Sequence, residues 1–201
     1  MLRQFHTGTP ESAALLDRTT RMSGGIDEQV AAILADVRQR RDEAVADYTR
    51  RFDRREPTDG TYEVSRARWN QMAAQVTAPV RRALELATSR IREFHRRTLD
   101  TSAIDVALDG VRLELRVAPL ARVGLYVPGG TARYPSSVLM TAIPAKVAGV
   151  PEVIMVTPGA SPEALLAAQL ADVDRVFELG GAQAIGALAF GTKTVPRVDK
   201  I

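Results

Sequence analysis

The stretch from Arg122 to Ile201 constrains the fold of this chain most. The apolar run VGLYV leads into Pro128-Gly129-Gly130, and Ser136 and Ser137 can cap a helix running through Val147, with Gly149 at its end. A second run, VIMVTP, precedes a helix from Pro162 to Leu170. A short strand, VDRVFELG, then meets Gly180-Gly181 and a helix from Ala182 to Phe190. Strands alternating with helices of about ten residues imply parallel pairing with right-handed crossovers. The expected fold class is therefore α/β: a Rossmann-like parallel domain, incomplete at Ile201, behind an N-terminal helical segment with a β-hairpin.

That helical segment is read from spacing. Thr9-Pro10 opens a short helix over 10–19, and Gly24-Gly25 breaks it. Val30, Ile33, Leu34 and Val37 recur at helical intervals, and Val45, Tyr48 and Phe52 continue in a second piece. A turn falls at Pro57 to Gly60. Ser65 caps a helix through Trp69, Met72 and Val76, and Pro79 starts one carrying Val80, Leu84, Ala87, Ile91 and Phe94. From Ile104 the period drops to two around Asp109-Gly110, a type I′ hairpin signal. Val111, Leu113, Leu115 and Val117 share one face, and Arg112, Glu114 and Arg116 share the other. The expected division is 1–121 as part of a first domain and 122–201 as the cofactor-contacting one.

Composition narrows the function. The 201 residues are 45% hydrophobic and 25% charged, an ordinary globular balance. No apolar run approaches the roughly 20 residues a membrane helix needs, and no signal-peptide core appears, so a cytoplasmic location is the default. Cysteine is absent, which removes disulfides, thiolate zinc sites and a cysteine nucleophile, and with the last an aldehyde-dehydrogenase-like reaction. Six arginines between Arg81 and Arg97 are interrupted by Glu85 and Glu93 and accompanied by one aromatic, Phe94. A nucleic-acid surface wants a same-sign stripe with stacking rings, so no nucleic-acid partner is expected.

Glycines between a strand and a helix expose backbone N–H groups at the positive end of the helix dipole, where phosphates bind. Gly129, Gly130, Gly180 and Gly181 are candidates on that ground, although neither loop matches GxGxxG and tight turns use the same residues. Tyr126 precedes the first loop, as a ring over a base or nicotinamide or as a core residue with a wetted tip. Gln183 stands in the first turn after the second loop, either aimed at what the loop binds or simply at the surface. Arg133 and Lys146 are cations near the same site. His6 and His95 are far apart, with no carboxylate at a metal-ligand spacing.

Three segments, RVGLYVPGGTA (122–132), PSSVLMTAIPAKVAGV (135–150) and ELGGAQAIGALAFGTKTVPRVDKI (178–201), resemble histidinol dehydrogenase. VRQRRDEAVADYTRRFD (37–53) is similar to that family's N-terminal helix, where a glycine often stands at the position of Arg41. The resemblance covers about residues 26–201. It implies a homodimeric, NAD-dependent zinc enzyme that oxidises L-histidinol to L-histidine through histidinal in two hydride transfers. It implies Tyr126 and Gln183 as NAD contacts. The family's zinc ligands and glutamate–histidine pair belong to a further half with no counterpart here, so no catalytic or metal residue carries over. The expected chain is an inactive NAD-binding portion whose sheet lacks its next strand after Ile201; the alternative is a free-standing nucleotide-binding or assembly module without catalysis.

Overall fold

A computed structural model describes residues 6–16, 25–58, 60–99, 104–129 and 134–201. Its helices are α1 (Pro10–Leu16), α2 (Ile26–Arg40), α3 (Asp42–Asp53), α4 (Arg66–Ala74), α5 (Ala78–Thr98), α6 (Pro135–Val147), α7 (Pro162–Leu170) and α8 (Gly181–Phe190). The strands are β1 (Ile104–Leu108), β2 (Val111–Leu115), β3 (Arg122–Tyr126), β4 (Glu152–Val156) and β5 (Arg175–Phe177). The expected first helix, 10–19, is described only to Leu16; Gly24, Gly130 and Arg133 lie outside the described residues.

Local chemistry explains most helix starts. Ser65 and Ser161 cap α4 and α7, their hydroxyls accepting the N–H groups of Arg68 and Ala164. Ser136 and Ser137 do not cap α6. Pro135, which has no N–H to satisfy and a φ already helical, takes the first position, and Tyr134 precedes it. Arg41 breaks α2 from α3 at φ 55°, a conformation favouring glycine. Its guanidinium donates to the Phe190 and Gly191 carbonyls at 2.8 and 2.9 Å, capping the C-terminal end of α8. The α2–α3 corner is thus fastened to α8.

β3, β4 and β5 form a parallel sheet in that order, with Val123 opposite Val153 and Met155 opposite Val176. Each edge carries one short bridge. Tyr62 to Val64 run antiparallel beside β5, through Val64 N–H to the Val176 carbonyl and Glu178 N–H to the Tyr62 carbonyl, both 2.8 Å. Beside β3, Gly124 donates to the Lys200 carbonyl at 2.8 Å and Asp199 to the Arg122 carbonyl at 2.9 Å, a parallel bridge. At the place of the expected next strand, residues 199–200 make one short bridge to β3, and no full strand lies there among the described residues.

Helices cover both faces. Val123, Leu125, Val153, Met155 and Val176 pack under α4, α5, α6 and α7, with Trp69, Leu139, Ile143 and Leu165 fully buried. Ile154, Val156 and Phe177 face α8, α2 and α3 through Leu188, Ala184, Val37 and Val45. Both cores draw on residues from either side of residue 121. β1 and β2 stand apart as an antiparallel pair. Ile104, Val106 and Leu108 face Leu115, Leu113 and Val111 across it, and these six side chains stay 38–57% exposed.

Candidate functional site at the C-terminal edge of the sheet

Counting parallel strands from β3, the spatial order is third, second, first, fourth: β5, β4, β3, then residues 199–200. The connections through α6 and α7 run one way from β3, and the connection through α8 returns to the other side. The direction reverses at β3. In open α/β sheets a ligand crevice lies at such a reversal, beyond the carboxyl ends of the strands.

Three strand-end loops converge there. A Cβ on Gly129 would lie 3.0 Å from Pro158 Cγ and 3.2 Å from the Gly159 nitrogen. On Gly180 it would lie 2.5 Å from Pro158 Cβ and 3.2 Å from each Asp53 carboxyl oxygen. Pro158, after β4, is thus the wedge against which both loops close, and a packing reason for glycine exists at both positions. Gly181 has φ +61°, and a Cβ there would meet Gln183 Oε1 at 2.5 Å. Its N–H donates to the Tyr126 hydroxyl at 3.3 Å. Tyr126, Gly129, Gly180, Gly181 and Gln183 therefore form one neighbourhood.

Gln183 is not a surface residue. Helix α8 is covered by the sheet on one side and by α2 and α3 on the other, and this leaves Gln183 fully buried. Neither its Oε1 nor its Nε2 has a hydrogen-bond partner. Nearby, Asp53 Oδ2 at the end of α3 is also buried and unpartnered. Burial pushes the Asp53 carboxyl above its ordinary range, against the opposing pull of the Gly180 N–H and Arg55. A buried amide without partners costs about 1–3 kcal/mol per group, so the site holds donors and an acceptor that a polar ligand can satisfy. Those orphaned atoms call for a partner that offers both hydrogen-bond donors and acceptors.

Three residues at this edge carried no sequence signal of their own. Glu178, at the end of β5, is buried and accepts both terminal nitrogens of Arg68 at 2.7 and 3.1 Å, a nitrogen of Arg55, and the Ala160 N–H at 3.3 Å. Burial opposes its ionisation, but the Arg68 and Arg55 guanidiniums outweigh that and hold its carboxyl below the usual range. Lys146 is not part of the site. It sits at the far end of α6, bonded to Asp174 at 2.5 Å and to the Pro151 carbonyl at 3.1 Å, where β4 and β5 begin. His6 is exposed, and His95 packs edge-to-face on Phe94. Among the described residues no group of three or more His, Cys, Asp or Glu could hold a metal, and no helix is long and apolar enough to cross a membrane.

Residues 16–201 match the family model for histidinol dehydrogenase. The chain belongs to the histidinol dehydrogenase family. It is 54% identical over 181 residues to histidinol dehydrogenase of Bordetella parapertussis, covering 88% of this chain and 41% of that protein. It is 48% identical over 209 residues to the Aromatoleum aromaticum protein of the same name, covering all of this chain and 48% of that one. The crystal structure of histidinol dehydrogenase from Elizabethkingia anophelis superposes with a TM-score of 0.84 at 31% identity, over 95% of this chain and 45% of that one. The chain thus spans less than half the length of these relatives, and the mixed α/β architecture is shared with the solved one.

Proposed function

We propose that this chain is the cofactor-contacting portion of a histidinol dehydrogenase, with NAD at the C-terminal edge of the sheet between β3 and α8. The observation that carries the reading is the Tyr126–Gly181 hydrogen bond, which draws both glycine loops and the orphaned Gln183 amide to the chain reversal at β3. Family membership supports L-histidinol as the substrate of the whole protein, a primary alcohol oxidised to L-histidine by way of the aldehyde. Bound NAD supplies the two-electron acceptor for each oxidation.

The chain's own residues do the holding. The Tyr126 ring is about a third exposed, and its hydroxyl accepts the Gly181 N–H and keeps the Gly180-Gly181 turn in place. Gln183 turns outward to give its amide to the ligand. Gly129, Gly180 and Gly181 let the three loops close on Pro158. Residues 122–201 supply the site and 1–121 its helical cover. Zinc, implied by the family resemblance, finds no ligand set among the described residues. The family resemblance assigns the catalytic groups to a further half, and on that ground the 201-residue chain is read as an inactive NAD binder, homodimeric and cytoplasmic as in the family. The second reading is a nucleotide-binding module without catalysis; it shares the cofactor site and differs in pairing with no catalytic half.

Calorimetric titration tests the cofactor site. Wild type is expected to bind NAD weakly, and Gln183→Ala about tenfold more weakly. Because the replaced amide is unpartnered when buried, the variant is expected to show no matching loss of thermal stability. Heats near zero for both proteins would remove the NAD site.

A further inference from the structure

At the β5 end of the same sheet edge a cleft of about 310 Å³ is lined by Arg55, Arg68, Thr58, Thr61, Tyr62 and Glu178. Two further carboxylates line it and bond cations outside it: Glu56 bonds Arg50 at 2.6 Å, a guanidinium shared with Asp47 at 3.3 Å, and Glu63 bonds Arg175 at 2.9 Å. Glu178 faces two guanidiniums, Arg55 and Arg68, and Arg55 also lies within electrostatic reach of the Asp53 carboxyl.

The position of Arg55 gives its guanidinium a direction. Its Nη1 is held by Glu178, while Nη2 lies 3.7 Å from where a Cβ on Gly159 would stand. Gly159 is in the loop after β4, and its nitrogen lies 3.2 Å from the Cβ position of Gly129. The guanidinium therefore overhangs the second strand's carboxyl end, next to the first glycine loop. In doubly wound sheets the adenosine half of a dinucleotide lies over the second and third strands, away from the reversal point. Here those strands are β4 and β5. Glu178 is buried and fully bonded, and the free oxygen of Asp53 beside Gly180 is itself buried, so neither carboxylate is presented to a ribose. What the edge presents is guanidinium, whose planar donors match phosphate oxygens.

We propose that Arg55, positioned by Glu178 and flanked by Arg68, is an anion subsite for a phosphoryl group on the adenosine half of the cofactor. This rests on the cofactor reading above. Glu178 is the positioning residue: it fixes the angle of both guanidiniums without touching the ligand, and it holds Arg55 Nη1 so that Nη2 is turned to the Gly159 loop.

The test uses the 201-residue chain with inorganic pyrophosphate, ADP-ribose and nicotinamide mononucleotide, titrated against wild type, Arg55→Gln and Arg55→Lys. Arg55→Gln is expected to weaken pyrophosphate and ADP-ribose about tenfold, since it removes a charge-assisted contact, while nicotinamide mononucleotide, which has no adenosine half, binds unchanged. Arg55→Lys is expected to recover part of the loss, and pyrophosphate affinity to fall with added salt. Glu178→Gln separates the subsite from a structural role. It weakens the fold yet raises pyrophosphate affinity by freeing charge, whereas a merely structural Arg55–Glu178 pair makes both variants behave alike. Pyrophosphate and ADP-ribose binding that is indifferent to Arg55→Gln overturns the subsite and leaves the NAD site standing. Arg55-dependent binding of pyrophosphate with no binding of ADP-ribose or nicotinamide mononucleotide keeps the anion site but overturns its assignment to the cofactor, and with it the NAD reading.

Discussion

Trp69→Ala is expected to destabilise the chain by about 4 kcal/mol and to lower its melting midpoint by about 12 °C. Trp69 is 1% exposed at the centre of the face where α4 crosses α7. Its indole N–H donates to the Leu165 carbonyl at 2.7 Å, and the Arg66 guanidinium lies 4.0 Å from the ring centroid. Truncation empties the largest buried side chain, leaves a carbonyl without its donor and removes the cation–π contact. The helical segment therefore does more than accompany the α/β segment: one ring fastens the two. Leu86→Ala, on an exposed position of α5, is expected to change stability by under about 0.5 kcal/mol and serves as the control. Thermal melts of both variants by circular dichroism check the contrast.

Much of this was legible in the sequence, and the reasons are local. Helix α7 runs over Pro162–Leu170 as the Ser161-Pro162 start dictates, and the Asp109-Gly110 dipeptide joins β1 to β2. The alternation of strand and helix after Arg122 gave the parallel sheet. What escaped depends on distant contacts. The strand pieces at 62–64 and 199–200 are too short to show a period, and each is defined by a partner more than seventy residues away. For Gln183 the sequence leaves a ligand contact and a surface position equally open; its burial follows from α8 being covered on two sides. Lys146 seemed close to the glycine loop, yet eleven residues of α6 carry it about 16 Å along the helix axis. The positive φ of Arg41 had one trace in the sequence, the glycine that often stands there in the family, and its physical reason appears only with the α8 carbonyls in view.

The β1–β2 hairpin gives the second large effect. A two-stranded pair is marginal by itself, and a continuous apolar face in water marks a contact surface. Ile104, Val106, Leu108, Val111, Leu113 and Leu115 make such a face, while Asp105, Arg112 and Glu114 form ion pairs on the other. The chain is expected to self-associate through this face, with a light-scattering mass at micromolar concentration of at least twice the 21.8 kDa monomer. Val106 and Leu113 are direct cross-strand partners, so Val106→Glu with Leu113→Lys replaces an apolar contact by an ion pair without changing register. That double variant is expected to run as a monomer. A monodisperse wild-type monomer contradicts the homodimer reading and favours the free-standing module.

The central claim is that NAD sits at the reversal point between β3 and α8, and amide resonances report it most directly. On titrating NAD into the labelled chain, the account predicts shifts concentrated at Tyr126 to Gly129, Gly159 and Gly180 to Gln183. The side-chain amide of Gln183 is expected to move furthest, because it passes from having no partner to being bonded. Lys146 and the β1–β2 hairpin are expected to stay unmoved. Shifts confined to the hairpin or to the Lys146 end of the sheet, or none at millimolar NAD, would contradict it.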